Sequence, residues 1–233
     1  MWVLSILNGF FCRFVSGPKP VLYGDDASPP VRFVLMTASA LGIDLDYREI
    51  DLFSNKHKTE FYKNINPLQK VPALEIGGQI IRDSHAICLY LCKRSGDTTL
   101  CPRDASTKAK IDEMLFFNSG TLFPIDSLIF TDYFAGVQPV RQDKLKTLYS
   151  ALDYLEFNLS ENIWLTGSKM YLSDICLMST VTSIYQIVPR LNRHKKIEKW
   201  LHNCEKLTFY DINRRGLTGA PKTKRGGTVL QKE

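Results

Sequence analysis

From Pro20 onward, apolar and polar positions alternate in short periods that change along the chain. "PVLYG" (20–24) reads as a strand, "PPVRFVLMTASAL" (29–41) spaces its apolar residues as a helix, and "YREIDL" (47–52) reads again as a strand. A polar stretch carrying a short helix, "KTEFYKN", leads into "NPLQKVPALEI" and "GGQIIR". These are two strands joined by a tight turn at Gly77 and Gly78, followed by a helix from Ser84 to about Lys93. Past "RSGDTTLCPRDAS" (94–106) the strand signals stop. Helical spacing alone continues over about 107–132, 140–158, 173–188 and 194–206.

The order β-α-β, connecting helix, β-β-α is that of a thioredoxin-like domain, so the pattern predicts an α/β N-terminal domain followed by an all-α C-terminal domain. The limits are an N-terminal extension at 1–18, the α/β domain at 19–95, a linker at 96–104, the helical domain at 105–212 and a tail at 213–233. Pro124 falls inside a helical pattern, where its ring meets the carbonyl of Gly120, so a kink is expected near Phe123. Val71-Pro72 stands just before a strand. Periodicity alone leaves its peptide bond open between trans and cis.

Composition changes this picture little. With 233 residues and 44% apolar, the chain can bury a sizeable core. The net charge of +6 is mostly a property of the tail, where six Lys or Arg face one Glu from Asn213 onward. That segment is rich in Gly, Thr, Lys and Arg and is expected to be poorly ordered and solvated rather than bound to nucleic acid. The six cysteines (Cys12, Cys88, Cys92, Cys101, Cys176, Cys204) show no zinc spacing and read as thiols in a reducing compartment; no metal site is expected. The apolar start "MWVLSILNGFFCRFVS" is too short to span a bilayer and lacks a basic flank. It is taken as an extension of unknown role on a cytoplasmic protein, with a secretory signal peptide as the alternative.

Two short stretches carry candidate chemistry. In "ASPPVR", Ser28 stands at the strand-to-helix joint, with proline at the first helical position, and reads first as an N-cap. A hydroxyl there, beside backbone N–H groups and the positive end of a helix dipole, could also hold another molecule's thiol as thiolate. In "IIRDSHAICLYL", Asp83 or Ser84 caps the next helix. The acid together with a hydroxyl and first-turn N–H groups suits a zwitterionic amino-acid head. Glutathione carries both a thiol and such a head. Tyr23, at the end of the first strand, competes with Ser28 for the catalytic role but reads as packed against the sheet.

At this point "LYGDDASPPVR", "NPLQKVPAL", "RDSHAI" and "GSKMYLSDI" (167–175), in this order, resemble the cytosolic glutathione transferases, specifically the serine-type insect delta and epsilon classes. Through "KPVLYGDDASPPVR", "DSHAI" and the acid of "LFPIDS" the chain is most similar to an epsilon-like branch associated with ecdysteroid biosynthesis. The resemblance implies a homodimer using glutathione as co-substrate, with Ser28 as the thiolate-stabilising residue and Val71-Pro72 as a cis step facing the cysteinyl part. It implies Asp83, Ser84 and His85 at the γ-glutamyl end, and His57 and Gln69 near the glycyl end. Pro29, Leu52, Phe53, Phe123, Ser127 and Phe130 would wall a hydrophobic acceptor pocket, with Asp126 bonding a steroid hydroxyl.

On the residues alone, Asp126 reads instead as solvent-facing or as a cap restarting the helix after Pro124. Three departures from the family pattern stand out. Gln69 replaces a frequent histidine, Tyr171 lacks the short hydroxyl that usually caps the helix three residues before Asp174, and the Gly- and Lys-rich tail replaces a closing helix. The rival readings are a non-catalytic steroid carrier with a retained glutathione site, and an interaction module on the same fold.

Overall fold

A computed structural model describes residues 18–137 and 139–219. The N-terminal extension to residue 17, with Cys12, and the tail from residue 220 lie outside the described residues.

The α/β part runs β1 (Val21–Gly24), α1 (Pro29–Ala40), β2 (Asp46–Glu49), a 3-10 turn (Lys56–Lys58), α2 (Glu60–Ile65), β3 (Ala73–Ile76), β4 (Gln79–Ile81) and α3 (Ser84–Ser95). The sheet order is β2-β1-β3-β4. β1 runs parallel to β2 and antiparallel to β3, with Leu22 opposite Leu74 and Tyr23 opposite Ala73. The two-residue period of the strand sends successive side chains to opposite faces. Leu22 accordingly joins Phe33, Val34 and Ile87 under α1 and α3, whereas Tyr23 joins Ile50, Tyr62 and Ile65 on the face covered by α2. β2 is shorter than the 47–52 pattern suggests because Asp51 turns the chain: its Oδ1 accepts the N–H groups of Phe53 and Ser54.

The helical part comprises α4 (Ala105–Phe117), α5 (Phe123–Phe134), α6 (Gln142–Asn158), α7 (Leu172–Ile184), α8 (Lys195–Cys204) and α9 (Tyr210–Gly219). The long helix expected over 107–132 is interrupted by a π-helical segment, Asn118–Leu122, where the Phe123 N–H reaches back to the Asn118 carbonyl. Proline at 124 has no N–H to offer Gly120, and the wider turn before it accommodates that missing bond. The expected break thus takes the form of a π segment.

Every residue of α7 is buried. Its hydroxyls turn onto its own carbonyls, Thr182 onto Met178 at 2.6 Å and Ser183 onto Ser179 at 2.9 Å, so the helix sits in the core with few unpaired groups. Asp174 near its start is buried too. It accepts the N–H groups of Leu165 and Tyr171 at 3.0 Å each and the Trp200 indole N–H at 2.9 Å. Burial still raises its pKa to about 6 against those bonds.

The expectation of a poorly ordered tail from residue 213 is corrected over 213–219, which belong to α9. Asn213 is fully buried: its Oδ1 accepts from Arg32 Nε at 2.9 Å and its amide donates to Thr182 at 3.0 Å. Composition missed this because the apolar residues that seat α9, Phe209, Tyr210 and Ile212, precede the basic stretch. Among the described residues, no helix is long and apolar enough to cross a membrane.

Candidate functional site

The joint between β1 and α1 is built around Asp25. Its Oδ1 accepts the Ala27 N–H at 3.0 Å, its carbonyl accepts the Ser28 N–H at 2.9 Å, and its Oδ2 accepts the Leu52 N–H at 2.9 Å. One buried carboxylate therefore shapes the turn and ties it to the loop after β2. Gly24 permits the tight exit from the strand, since a Cβ there would meet Val31 Cγ1 at 2.7 Å.

Ser28 takes the N-cap position with extended backbone (φ −78°, ψ 123°), yet its hydroxyl makes no capping bond. The next two residues are prolines without N–H groups, and the Val31 and Arg32 N–H groups both go to the Ser28 carbonyl at 3.1 Å. This corrects the expectation of backbone donors beside the hydroxyl. "SPP" removes them, and leaves the hydroxyl uncommitted to the helix it begins.

Beneath this joint lies Arg32, fully buried. Nη1 donates to the carbonyls of Asp26 (2.9 Å) and Ala27 (2.7 Å), Nε to Asn213, and Nη2 to the Ser179 carbonyl (3.1 Å) and the Ser183 hydroxyl. A single guanidinium thus clamps the two residues before Ser28 onto α7 and α9. Burial lowers its pKa to about 10, opposed first by the charge of Asp126 and then by that of Asp26. Asp25, Arg32 and Asn213 escaped the sequence reading. Only Asp25 left a signal, an acid three residues before a serine as in a side-chain-closed turn.

At the start of α3, Asp83 is the cap. Its Oδ1 accepts the N–H groups of His85 (2.9 Å) and Ala86 (3.0 Å), and bonding to the His85 side chain, with burial opposing and the Ala86 N–H assisting, lowers its pKa. Two of the first-turn donors, the His85 and Ala86 N–H groups, are therefore engaged by the protein itself. Asp83 remains largely exposed, and Ser84 is buried beside it.

His85 is turned toward the helical domain. Its Nε2 lies 3.4 Å from the Cys176 Sγ and 3.5 Å from the Asn118 amide, and its ring stacks edgewise on Phe33. The loop leading to Val71-Pro72, a cis bond, hangs on Asn66, another residue the sequence reading missed. The Asn66 amide donates to the Lys70 carbonyl at 2.6 Å, its oxygen accepts the Leu68 N–H at 3.1 Å, and Gln69 takes a left-handed conformation (φ 54°).

A cleft of about 570 Å³ between the two parts is lined by Val71, Pro72, Asp83, Ser84, His85, Phe123 and Ser127, together with Pro30 of α1. Ser28, Pro29, His57, Gln69, Leu52, Phe53, Phe130 and Asp126 are not among its lining residues. Ser28 and Pro29 directly precede the lining residue Pro30. Phe53 meets Phe134 edge-on at 5.3 Å, and Phe134 meets Phe130 at 6.0 Å, an aromatic wall running from the loop after β2 to α5 in which Phe134 was unforeseen. His57 keeps a buried, unpartnered Nδ1, and burial followed by Lys58 lowers its pKa against the pull of Asp25.

Asp126 departs most from the reading of its residues alone. It is 2% exposed and caps nothing; its Oδ1 has no partner, and burial pushes its pKa well above the usual carboxylate range against the pull of Arg32. Tyr23 is packed on the sheet as expected, its hydroxyl donating to Glu75 at 2.9 Å, and burial with that bond raises its pKa.

The N-terminal domain family of glutathione S-transferases matches residues 22–99, and their C-terminal domain family matches 121–207. Glutathione S-transferase 1 of Manduca sexta is 33% identical over 194 residues, 81% of this chain and 89% of that protein. The chain belongs to the glutathione S-transferase family. Among solved structures, this transferase superposes on an epsilon-class glutathione S-transferase from the housefly Musca domestica with a TM-score of 0.80 at 33% identity, covering 86% of this chain and 94% of the other. A glutathione transferase homologue from Drosophila mojavensis, solved with bound glutathione, gives a TM-score of 0.82 at 34% identity, covering 86% and 93%. The protein is thus a glutathione transferase of insect delta/epsilon type, with glutathione as co-substrate. Among the described residues no group of three His, Cys, Asp or Glu side chains could hold a metal ion.

Proposed function

We propose that Ser28 is the catalytic residue, donating a charge-assisted hydrogen bond to the glutathione sulfur and so favouring its thiolate. The observation that carries this reading is the uncapped hydroxyl: two prolines remove the nearest first-turn donors, and the Val31 N–H goes to the Ser28 carbonyl instead. Glutathione then lies along Val71-Pro72, its γ-glutamyl ammonium at Asp83, its α-carboxylate at the Ser84 hydroxyl and its glycyl end toward His57 and Gln69. His85 acts as support from behind, holding α3 against Asn118 and Cys176. The acceptor is a hydrophobic molecule brought to the thiolate between Pro29, Leu52, Phe53, Phe123, Ser127 and Phe130. Chemistry is pKa lowering and proximity.

The substitution Ser28→Ala should reduce conjugation of a chloro-dinitroaromatic substrate by at least about tenfold, because a hydrogen bond to a charged group is worth roughly 1.5–3 kcal/mol. It should also raise the pKa of bound glutathione, read by thiolate absorbance. Unchanged activity and thiol pKa would remove Ser28 from the mechanism.

The finer reading is that the acceptor is a steroid and that the enzyme serves ecdysteroid biosynthesis as a cytoplasmic homodimer. The support is the resemblance to Noppera-bo, the epsilon-like transferase associated with that process, and the unpartnered Asp126 oxygen beside Ser127. The same acid favours a second reading, a steroid carrier without turnover. Titrating a fluorescent steroid against the wild type and Asp126→Ala, with and without glutathione, separates them. Affinity lost in the variant supports the steroid site, and binding indifferent to glutathione supports the carrier. Light scattering after size exclusion tests the dimer.

A further inference from the structure

Away from the cleft, the end of α3 and the 96–104 connection enclose a second cavity of about 540 Å³, lined in part by Cys92, Cys101, Lys93, Arg103 and Lys108. Neither thiol has a part in the chemistry above. The connection is held by side-chain bonds. Ser95 Oγ donates to the Cys92 carbonyl at 2.9 Å and accepts the Asp97 N–H at 3.2 Å, and Asp97 Oδ1 accepts both the N–H and the hydroxyl of Thr99 at 2.6 Å. Leu100 is buried, and its carbonyl accepts the Leu172 N–H at 3.0 Å. These bonds bring residue 101 back over the last turns of α3, where Cys92 and Cys101 line the same cavity wall.

The two thiols differ in surroundings. Cys92 is buried at 2% exposure, whereas Cys101 is half-buried at the cavity wall. The neighbouring Cys92 thiol holds the Cys101 thiol below its usual range, with Lys108 assisting against burial. The Cys101 thiol, with burial, pushes Cys92 far up. A reachable, easily ionised sulfur beside a buried partner is the asymmetry of an attacking and a resolving thiol.

We propose that Cys92 and Cys101 form a redox-reactive pair whose oxidant is a small disulfide bearing carboxylates, such as glutathione disulfide, with Cys101 attacking and Cys92 resolving. Three cations on the wall, Lys93, Arg103 and Lys108, outnumber its two acids, Asp97 and Asp112, of which Asp112 pairs with Lys108, and Lys93 and Arg103 are the ones that would meet the carboxylates. In the first step Cys101, having given its proton to solvent, attacks as thiolate: its sulfur bonds one sulfur of the disulfide, the S–S bond breaks and one glutathione leaves as thiolate. In the second, Cys92 gives its proton to solvent, its sulfur bonds that of Cys101, and the remaining glutathione leaves as thiolate. Two protein thiols are oxidised to one disulfide, and one glutathione disulfide is reduced to two glutathione molecules. The new bond fastens the end of α3, whose other end carries Asp83 and Ser84, to the connection between domains.

The test uses the full reduced chain incubated with glutathione disulfide, quenched by alkylation and mapped by mass spectrometry. The expected product is a Cys92–Cys101 disulfide in the wild type, and a single glutathionyl group held on Cys101 in Cys92→Ser. Cys101→Ser should lose reaction at both positions, slowing oxidation by at least about tenfold. Oxidation of Cys101→Ser at the wild-type rate, or a wild-type Cys101 adduct that never passes to Cys92, overturns the pair. A cationic disulfide run in parallel should react several-fold more slowly; equal rates overturn the carboxylate preference. Circular dichroism checks each variant, and Cys92→Ala replaces the serine variant if that one fails to fold.

Discussion

Replacing Gly216 by alanine should destabilise this transferase, although the same change in an ordinary helix stabilises. Alanine in a helix interior is favoured over glycine by about 1 kcal/mol. At Gly216, however, a Cβ would stand 2.5 Å from Arg32 Cδ and 3.0 Å from the Asp26 carbonyl carbon, with the carbonyl oxygen nearer still. Carbon atoms prefer roughly 3.5–4.0 Å, so α9 has to retreat by about 1 Å or push the turn that carries Ser28. That turn yields little, because Arg32 Nη1 holds the Asp26 and Ala27 carbonyls.

Overpacking of this kind costs about 1–3 kcal/mol. Because the nearest atom is backbone, the upper part of that range applies, and after the helix gain a net loss of about 1–2 kcal/mol remains, a fall in Tm of about 2–8 °C for a chain of this size. Calorimetry reads the stability. Conjugation kinetics should show kcat/KM falling several-fold, because the displaced residues lead directly into Ser28. Arg215→Ala, on the exposed side of the same helix, is the control and should change Tm by little. A Gly216→Ala protein with raised Tm and full activity would refute the reasoning, since it would mean that α9 does not press on the Ser28 turn.

Other outcomes follow from the same contacts. Asp25→Ala strips the acceptor from the Ala27 and Leu52 N–H groups and should lower stability by about 1–3 kcal/mol and kcat/KM by about tenfold, with Asp25→Asn recovering part of both in denaturation and steady-state assays. Asn66→Ala removes two bonds from the loop before Val71-Pro72 and should raise the KM for glutathione more than it lowers kcat. For Asp174 the folded pKa, about 6, stands above the ordinary 3.8, so its contribution to stability is fullest below about pH 3.8 and is lost as pH rises through about 6. The stability of the wild type relative to Asp174→Asn should therefore decline across that interval, measured by urea denaturation at several pH values; a flat difference would contradict the raised pKa.

The two-part architecture was legible because it rests on local rules. Strand and helix periods, the Gly77-Gly78 turn and the loss of strand signals after residue 94 each depend on residues near one another in the chain. The break at Pro124 was legible for the same reason, although its π-helical form was not, since a kink and a widened turn both relieve the missing donor. The site was legible only where a short motif carries it: "SPP" marked a joint and "RDSHAI" a capped helix. Even there, the prolines remove the N–H groups expected beside Ser28, and two of those at α3, on His85 and Ala86, go to Asp83.

What the amino-acid order determined by itself was the elements, their sequence and the position of Ser28 at the head of α1. What only the tertiary structure decided was which distant groups support that serine. Arg32 lies 181 residues from Asn213, and no period or composition links an arginine in an apolar helix to an asparagine beside a basic tail. Asp126 likewise reads as a surface acid until the packing of α5 buries it near that arginine. A buried charge is costly unless its partners arrive from elsewhere in the fold, so its presence is decided by the assembled core and leaves no local trace in the chain.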